Sequence, residues 1–396
     1  MLNIKRNVSS LSASNYIINN YFQIIMKILE LHYSTSWAGA ERFVVDLCNE
    51  LANEHEVILC TIEDDNIPEK AYYKKDLKKS IKYKNLKCQS GLQLKAIWRI
   101  YQIIKKEKPD IVHAHTDAMC IFLPALLYKK TSYFHTLHNL AEICIHKPYL
   151  QKVYYWFYKH AIHAITISQT CYNSFHKLYK LDNVIKIDNG RSLLTPSSNY
   201  NLVQEEISKL KLHPNDKVFV HVARCQPQKN QKLLIHAFNR FLEKNHQGIL
   251  IMIGACYDSP ENKHLLAEAH KGIYWLGLKN NVCDYLLQAD FFVLSSLYEG
   301  LPISLLEALS CGVIPICTPA GGIPDVIKDD SLGFVSKDFA LSNFYDCLVK
   351  AYNETNRIDT ERLKEYFNNN YSMNHCAELY IKAFQQHVTL TKAVKK

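Results

Sequence analysis

The sequence has 396 residues, of which 48% are hydrophobic and 21% are charged, and its formal net charge is +9. This length exceeds what one hydrophobic core usually spans, and the balance of residues is that of a folded globular chain. A disordered or fibrous protein is therefore excluded, and two domains are expected. No apolar run approaches the roughly 18 residues that a membrane-spanning helix needs.

The thirteen cysteines are an odd number and include no Cys-x-x-Cys pair. Zinc sites and disulfide frameworks usually need paired cysteines, so we expect buried thiols and a reducing, cytoplasmic setting. At the N-terminus, residues 1–25 are polar and rich in Asn and Ser, and a strand-like pattern begins only at Met26. We interpret residues 1–25 as an N-terminal extension outside the fold, with Met26 as an alternative native start.

The first half of the chain alternates short apolar runs with amphipathic stretches. Residues 28–31 predict a strand, residues 40–53 a helix and residues 57–61 a second strand. The same order recurs in predicted helices at 94–106, 151–160 and 169–179 and predicted strands at 111–114, 133–137, 164–167 and 184–187. This repetition predicts a parallel sheet with helices on both faces, which we assign to residues 26–190.

The second half repeats this organisation after a break. Residues 191–213 contain Ser, Asn, Pro and a short charged helix, which indicates a linker. A second doubly wound sheet is predicted for residues 214–365, with strands at 218–223, 249–254, 273–276, 291–294 and 313–317. The fold class is therefore α/β, and two such sheets place a ligand in the cleft between the carboxyl ends of their strands.

Two glutamates flank a predicted helix start in the second domain. Pro302 suits the first helical position, Glu299 lies just before it, and Glu307 lies five residues beyond it, about 7.5 Å along the helix axis. This separation is too large for a compact metal pair. Each carboxylate instead suits a ribose or sugar diol, and the helix amides between them suit a phosphate, although two solvent-exposed carboxylates would explain this segment by itself.

Two cations follow the first strand of the second domain. Arg224 and Lys229 are placed at its carboxyl end, where they can neutralise the charge of a departing nucleoside diphosphate without a metal ion. The sequence contains no Asp-x-Asp pair, so we expect no metal and no other cofactor. Each cation alone would more often be an ordinary surface residue.

These motifs together resemble glycosyltransferase family 4, from Met26 to the C-terminus. They are Arg224-x4-Lys229, Glu299-x7-Glu307 and the segment Thr318-Pro-Ala-Gly-Gly-Ile-Pro-Asp325. The resemblance implies a GT-B fold, in which two Rossmann-like domains face each other across a cleft and a C-terminal helix, here residues 366–396, crosses back to the first domain. It also implies that Arg224 and Lys229 bind the donor diphosphate, that Glu299 and the following Gly300, Leu301 and Pro302 contact the transferred sugar, and that Glu307 holds the ribose.

The resemblance extends to the first domain. Segment Ser36 to Arg42 is similar to the family's glycine loop, so Gly39 is expected to approach donor and acceptor and Ala40 the acceptor. His138 matches the histidine placed beside the transferred sugar, whereas His113, His115 and His135 are expected to be structural. The sequence departs from the family at Asp325, Ala223 and Arg191, which stand where Glu, Gly and Val or Ile are usual, and these departures concern donor choice.

The resemblance further implies a retaining hexosyltransferase. The residues offer no clear nucleophile, so we expect a front-face reaction in which the leaving phosphate helps to deprotonate the acceptor. A UDP-linked hexose or N-acetylhexosamine is favoured over GDP-mannose, and a glycan or lipid-linked sugar in surface polysaccharide, capsule or lipopolysaccharide synthesis is the expected acceptor. The alternatives are an epimerase or phosphorylase on the same fold and a non-catalytic sugar-nucleotide-binding subunit.

A basic stretch between Lys70 and Lys87 contains eight lysines and interleaved aromatic residues. Such a run is usually a solvated face, and its alternative is peripheral contact with an anionic membrane at the inner face of the cytoplasmic membrane. No nucleic-acid-binding motif accompanies the charge, so nucleic acid is not an expected partner.

Overall fold

The computed structural model describes residues 25–89, 94–144 and 148–393. The described chain forms two parallel sheets with helices on both faces, so the prediction of two doubly wound α/β sheets is confirmed. Of the predicted N-terminal extension, residues 1–24 lie outside the described residues.

The first sheet has the strand order β3-β2-β1-β4-β5-β6-β7, and its strands pair in parallel. Its strands are β1 (Lys27–His32), β2 (Glu56–Glu63), β3 (Lys82–Cys88), β4 (Ile111–Ala114), β5 (Ser132–Leu137), β6 (His163–Thr166) and β7 (Ile185–Lys186). The helices between them are α1 (Gly39–Leu51), α2 (Leu94–Glu107), α3 (Met119–Leu127), α4 (Ala141–Cys144), α5 (Gln151–His160) and α6 (Gln169–Tyr179).

Helices cover both faces of this sheet. Successive side chains of each strand point to opposite faces, so the side chains on both faces are buried. Ile28 packs with Phe43 and Leu47 of α1, whereas Leu29 packs with helices α2, α3 and α5 on the other face. The central strands are therefore largely apolar on both sides, and Glu30, His113 and His135 are among their buried polar exceptions.

The second sheet has the order β10-β9-β8-β11-β12-β13 and is also parallel. Its strands are β8 (Lys217–Val222), β9 (Gly248–Ile253), β10 (Ile273–Gly277), β11 (Phe291–Leu294), β12 (Ile314–Cys317) and β13 (Phe334–Val335). Its helices are α7 (Tyr200–Leu210), α8 (Gln231–Glu243), α9 (Lys263–Ala267), α10 (Val282–Leu286), α11 (Ile303–Ser310), α12 (Ile323–Val326), α13 (Leu341–Glu354) and α14 (Thr360–Tyr371).

The predicted linker packs on the second domain rather than lying free. The Ser197 hydroxyl donates to Asp284 at 2.5 Å, and Tyr285 donates to Glu206 of α7 at 2.6 Å. Val203 and Ile207 on the same helix are buried. The segment from about residue 197 onward is therefore part of the second domain's surface layer.

The C-terminal helix α15 (Met373–Ala393) returns to the first domain. Its Tyr380 hydroxyl lies 3.1 Å from Thr136 Oγ1 of β5, and its Phe384 ring packs edge-on against Phe134. The crossing occurs at Ser372, where the backbone is extended between α14 and α15, and not at residue 366. The reason is that Phe367 and Tyr371 are still buried in α14, which packs against α11 of the second domain.

The basic stretch between Lys70 and Lys87 lies beside edge strand β3 and is partly neutralised. Lys70 pairs with Glu63 at 2.7 Å and Lys74 with Asp65 at 2.5 Å, while Lys82 and Lys84 share Glu107. The positive charge offered to a membrane is therefore smaller than the sequence suggests. Among the described residues, no helix is both long and apolar enough to cross a bilayer.

Candidate active site

A cleft with a volume of about 420 Å³ lies between the two sheets, at the carboxyl ends of strands from both. This is where doubly wound sheets bind ligands. All the residues predicted for the site line this cleft: Gly39, Ala40, His138, Arg224, Lys229, Glu299, Gly300, Leu301, Pro302 and Glu307.

The cationic side of the cleft follows strand β8. The Arg224 carbonyl accepts a hydrogen bond from Gln231 Nε2 at 3.0 Å, which ties the loop to helix α8. Lys229 ends a short 3₁₀ turn, after which Asn230 adopts a left-handed conformation and α8 begins. Within the described residues, no carboxylate pairs with the half-buried Arg224 guanidinium, so this cation is available to an anionic ligand.

Glu299 lies in the loop after strand β11 and is only 5% exposed. Its Oε1 accepts from Lys229 Nζ and from Ser296 Oγ, both at 2.6 Å. Gly321 packs directly against the backbone of this loop. Its φ is +55°, and an added Cβ would lie 1.7 Å from the Glu299 carbonyl oxygen. Only glycine fits there, and this close contact positions the Glu299 backbone in the cleft.

Helix α11 begins at Ile303, one residue later than the sequence prediction. Pro302 precedes it in an extended conformation, with φ −71° and ψ 124°, because its fixed φ also suits the residue that leads into a helix. The change does not alter the layout: Glu299 precedes the helix and Glu307 lies on it. The two carboxylates therefore remain on different elements.

Glu307 is joined to the first domain by Arg191, a position at which the sequence departs from the family pattern. Arg191 Nε donates to Glu307 Oε1 at 2.9 Å, and the same guanidinium also pairs with Asp46 of α1. Asp46 in turn accepts from Arg42 Nε at 3.0 Å. No sequence motif predicts a role for Asp46 or Arg42, and the unusual arginine after Asn189-Gly190 is the one available signal.

His138 follows strand β5 and contacts other buried histidines. Its Nε2 lies 2.9 Å from His115 Nδ1, and its ring packs against Phe43 with ring centroids 5.5 Å apart. Burial, together with neighbouring histidines, lowers the pKa of His138 well below its usual range. His138 is therefore a neutral imidazole at the wall of the cleft.

The two domains touch beside His138. A Cβ added to Gly300 would lie 2.4 Å from the His138 carbonyl oxygen, so this glycine permits the close approach. Asn189 Nδ2 also donates to the Leu301 carbonyl at 3.0 Å. These contacts set the distance between His138 and the loop that carries Glu299.

Known families match nearly the whole described fold. The profile of Glycosyl transferases group 1 matches residues 203–367, and that of Glycosyltransferase Family 4 matches residues 37–193. The UDP-Gal:alpha-D-GlcNAc-diphosphoundecaprenol alpha-1,3-galactosyltransferase of Escherichia coli is 29% identical over 272 residues, which cover 65% of this chain and 70% of that protein. An uncharacterised glycosyltransferase of Methanocaldococcus jannaschii is 30% identical over 288 residues, covering 65% and 68%.

Solved structures share the architecture. A glycosyltransferase from Rickettsia africae superposes with a TM-score of 0.77 at 17% identity, covering 92% of this chain and 98% of that one. HepE of Anabaena in complex with UDP and glucose gives 0.75 at 16% identity, covering 91% and 100%. These likenesses confirm the GT-B fold, and with the two family matches they show that the chain belongs to glycosyltransferase family 4, group 1, and is a glycosyltransferase.

Proposed function

We propose that this glycosyltransferase retains the anomeric configuration and moves a hexose or N-acetylhexosamine from a UDP-sugar to a glycan or lipid-linked acceptor without a metal ion. The observation that carries the proposal is the grouping of Arg224, Lys229 and Glu299 at the carboxyl ends of β8 and β11, facing the cleft.

The leaving group explains the two cations. A departing nucleoside diphosphate gains negative charge, and fixed cations stabilise that charge when they are already in place before the reaction. Arg224 presents a planar group that binds two phosphate oxygens at once, whereas Lys229 supplies a point charge. Lys229 is held at 2.6 Å by Glu299, so the lysine and the sugar-binding carboxylate are positioned as a unit.

The carboxylates that line the cleft already have hydrogen-bond partners, which supports a front-face reaction. Glu299 is bound by Lys229 and Ser296, and Glu307 is bound by Arg191. The third glutamate lining the cleft, Glu41, accepts from Ser36 Oγ at 3.1 Å, and burial raises its pKa. A double displacement needs a carboxylate nucleophile beside the anomeric carbon. Because each of these three carboxylates already has a partner, we assign the deprotonation of the acceptor to the leaving phosphate.

The nature of the substrates rests on similar proteins. The Escherichia coli relative is named for UDP-galactose and an undecaprenyl diphosphate-linked acceptor, and HepE binds UDP and glucose. Another similar structure, WaaG, is described as involved in lipopolysaccharide biosynthesis. These names support a UDP-sugar donor and a lipid-linked acceptor in surface polysaccharide synthesis. We propose that the enzyme is cytoplasmic and binds this acceptor at the membrane surface.

Thermal unfolding with candidate donors tests the donor site. A ligand that binds only the folded protein raises the melting temperature, so UDP and its sugars in EDTA are expected to raise it, whereas ADP is not. Lys229→Ala should abolish the shift, and Lys232→Ala, which changes an exposed lysine on α8, should keep it. No shift with UDP, GDP or ADP compounds would contradict the proposed donor site.

Product stereochemistry tests retention separately. The anomeric proton of the transferred sugar, observed by NMR directly after transfer, should show the configuration of the donor. The opposite configuration would contradict the front-face reaction even if the donor site is correct.

A further inference from the structure

A chain of hydrogen bonds runs from the wall of the cleft into the first domain. His138 Nε2 lies 2.9 Å from His115 Nδ1, and His115 Nε2 lies 2.8 Å from Glu30 Oε2. Glu30 lies within strand β1 and His115 directly follows strand β4, and both side chains are fully buried. A buried carboxylate on a core strand is costly unless it is hydrogen-bonded. Packing alone therefore does not explain why Glu30 and its hydrogen bonds are present here.

The positions of the protons follow from the chemistry of the three groups. Burial alone would raise the pKa of Glu30, but His113 and His115 lower it to about 2, so Glu30 is an ionised carboxylate that only accepts hydrogen bonds. His115 must therefore donate from Nε2. Burial lowers the pKa of His115 to about 4, so the ring carries one proton at neutral pH and its Nδ1 is an acceptor.

The same reasoning passes along to His138. Because His115 Nδ1 accepts, His138 must donate from Nε2, and a neutral His138 then has a lone pair on Nδ1. Within the described residues Nδ1 of His138 has no hydrogen-bond partner, and the residue lines the cleft. The ring cannot turn freely, because Phe43 packs edge-on and His32 stacks against it.

We propose that Glu30 and His115 are positioning residues that keep the proton of His138 on Nε2, so that Nδ1 accepts a hydrogen bond from a sugar hydroxyl. This inference rests on the proposed function, since it places a sugar beside His138. It adds a specificity rule: the substrate group at this point is a hydroxyl or amide donor, and a carboxylate or phosphate is rejected because two acceptors would meet.

His113 provides a matched control within the same cluster. It also contacts the Glu30 carboxylate, at 3.0 Å, and is as buried as His115. Its other nitrogen, Nε2, lies 2.7 Å from Thr136 Oγ1 and so leads to Tyr380 of α15 instead of the cleft. A purely structural role would make His113 and His115 equally important, whereas the proposal separates them.

The direct test is the tautomer of His138, measured by ¹⁵N NMR on protein labelled at histidine and assigned by the signals lost in His138→Gln. The wild-type protein should show protonated Nε2 and unprotonated Nδ1 at pH 7, and His113→Gln should keep this state. His115→Gln should change the His138 signals. A proton on Nδ1 in the wild type would overturn the proposal whether or not the enzyme transfers sugar.

Kinetics provide the second test, with sugar transfer measured at saturating acceptor. His115→Gln and Glu30→Gln should lower kcat by roughly ten- to hundredfold, by analogy with other partners that orient a functional histidine, while the rise in melting temperature that UDP produces should be kept. His113→Gln should lower kcat by less than His115→Gln does, because the glutamine amide can still donate to Glu30 and His113 does not contact His138. Equal losses in both histidine variants would overturn the proposal.

Metal analysis of the purified enzyme tests a different explanation. Glu30, His113 and His115 are close enough together to share a metal ion, and a bound ion would replace the protons assigned above. The purified enzyme is expected to contain no stoichiometric zinc, iron or manganese, and EDTA should leave the His138 signals unchanged. A stoichiometric metal removed together with those signals would overturn the proposal.

Discussion

Arg191 Nε lies 2.9 Å from Glu307 Oε1 and thereby joins the end of the first domain to helix α11 of the second. The same guanidinium pairs with Asp46, so one buried cation contacts the buried Asp46 and the partly buried Glu307. Because removing the arginine leaves Glu307 without this partner and Asp46 with Arg42 alone, we expect Arg191→Met to lower the free energy of unfolding by about 2 kcal/mol. Chemical denaturation at neutral pH measures this change.

Arg357 offers a control with the same chemistry at the surface. It pairs with Glu354 at 3.1 Å, but its side chain is 75% exposed. Arg357→Met should therefore change the free energy of unfolding by less than about 1 kcal/mol. Similar effects of the two substitutions would mean that the contacts of Arg191 with Glu307 and Asp46 contribute no more to stability than a surface ion pair does.

The cationic side of the donor site has a kinetic consequence. Arg224→Met should lower kcat/KM for the donor by about a hundredfold or more, as expected when one fixed group that stabilises a transition-state charge is lost. Arg224→Lys should recover only part of this loss, because lysine keeps the charge but not the planar fork. Lys232→Met on α8 is the control, and an Arg224→Met enzyme with unchanged kcat/KM would contradict the assignment.

Local patterns predicted most of the fold, and two of the elements that they did not predict have identifiable causes. Strand β3 is rich in lysine and lies at the sheet edge, so it lacks the apolar run of the central strands. Helix α3 is apolar on nearly every side and contains Pro124, so it has no helical periodicity. Tertiary packing, which the sequence pattern does not contain, decides both.

The same limit applies to the site. Arg224, Lys229 and Glu299 stand in short segments with diagnostic spacing, so the sequence alone brings them to one cleft. Arg191 and Glu307 are 116 positions apart, and Arg191 and Asp46 are 145 apart. Their meeting depends on how the two domains dock, which no local motif encodes.

Gly300 tests the importance of the domain contact. An added methyl group would lie 2.4 Å from the His138 carbonyl oxygen and 2.8 Å from Ile167 Cδ1, so Gly300→Ala should force the domains apart. A misplacement of about 1 Å can cost roughly a hundredfold in rate, and we expect kcat to fall by at least tenfold, that is by about 1.4 kcal/mol in barrier.

Gly272 provides the matched substitution away from the cleft. A Cβ at this position would meet the flexible end of Leu242 at 3.1 Å, so Gly272→Ala should leave kcat unchanged. Steady-state transfer by the two variants makes the comparison. An active Gly300→Ala enzyme would show that the domains do not need this approach during the reaction.

Stability should fall on mild acidification because several histidines are buried in the neutral form. Burial lowers the pKa of His115, His135 and His221 from 6.5 to about 4. Between these values the unfolded chain binds protons that the folded protein does not, so lowering the pH favours unfolding. Each such histidine removes up to about 1.4 kcal/mol per pH unit, and the effect ends below about pH 4, where the folded protein is also protonated.

The melting temperature, followed from pH 7 to pH 5, should therefore decrease steadily. His221→Gln removes one of these groups while leaving the cleft side chains in place, so its melting temperature should be lower at pH 7 but should change less with pH. His221 Nδ1 lies 2.8 Å from the Val293 carbonyl, which explains the loss at pH 7. A melting temperature that does not change between pH 7 and pH 5 would show that these histidines gain protons as readily in the folded protein as in the unfolded chain, which would contradict their burial in the neutral form.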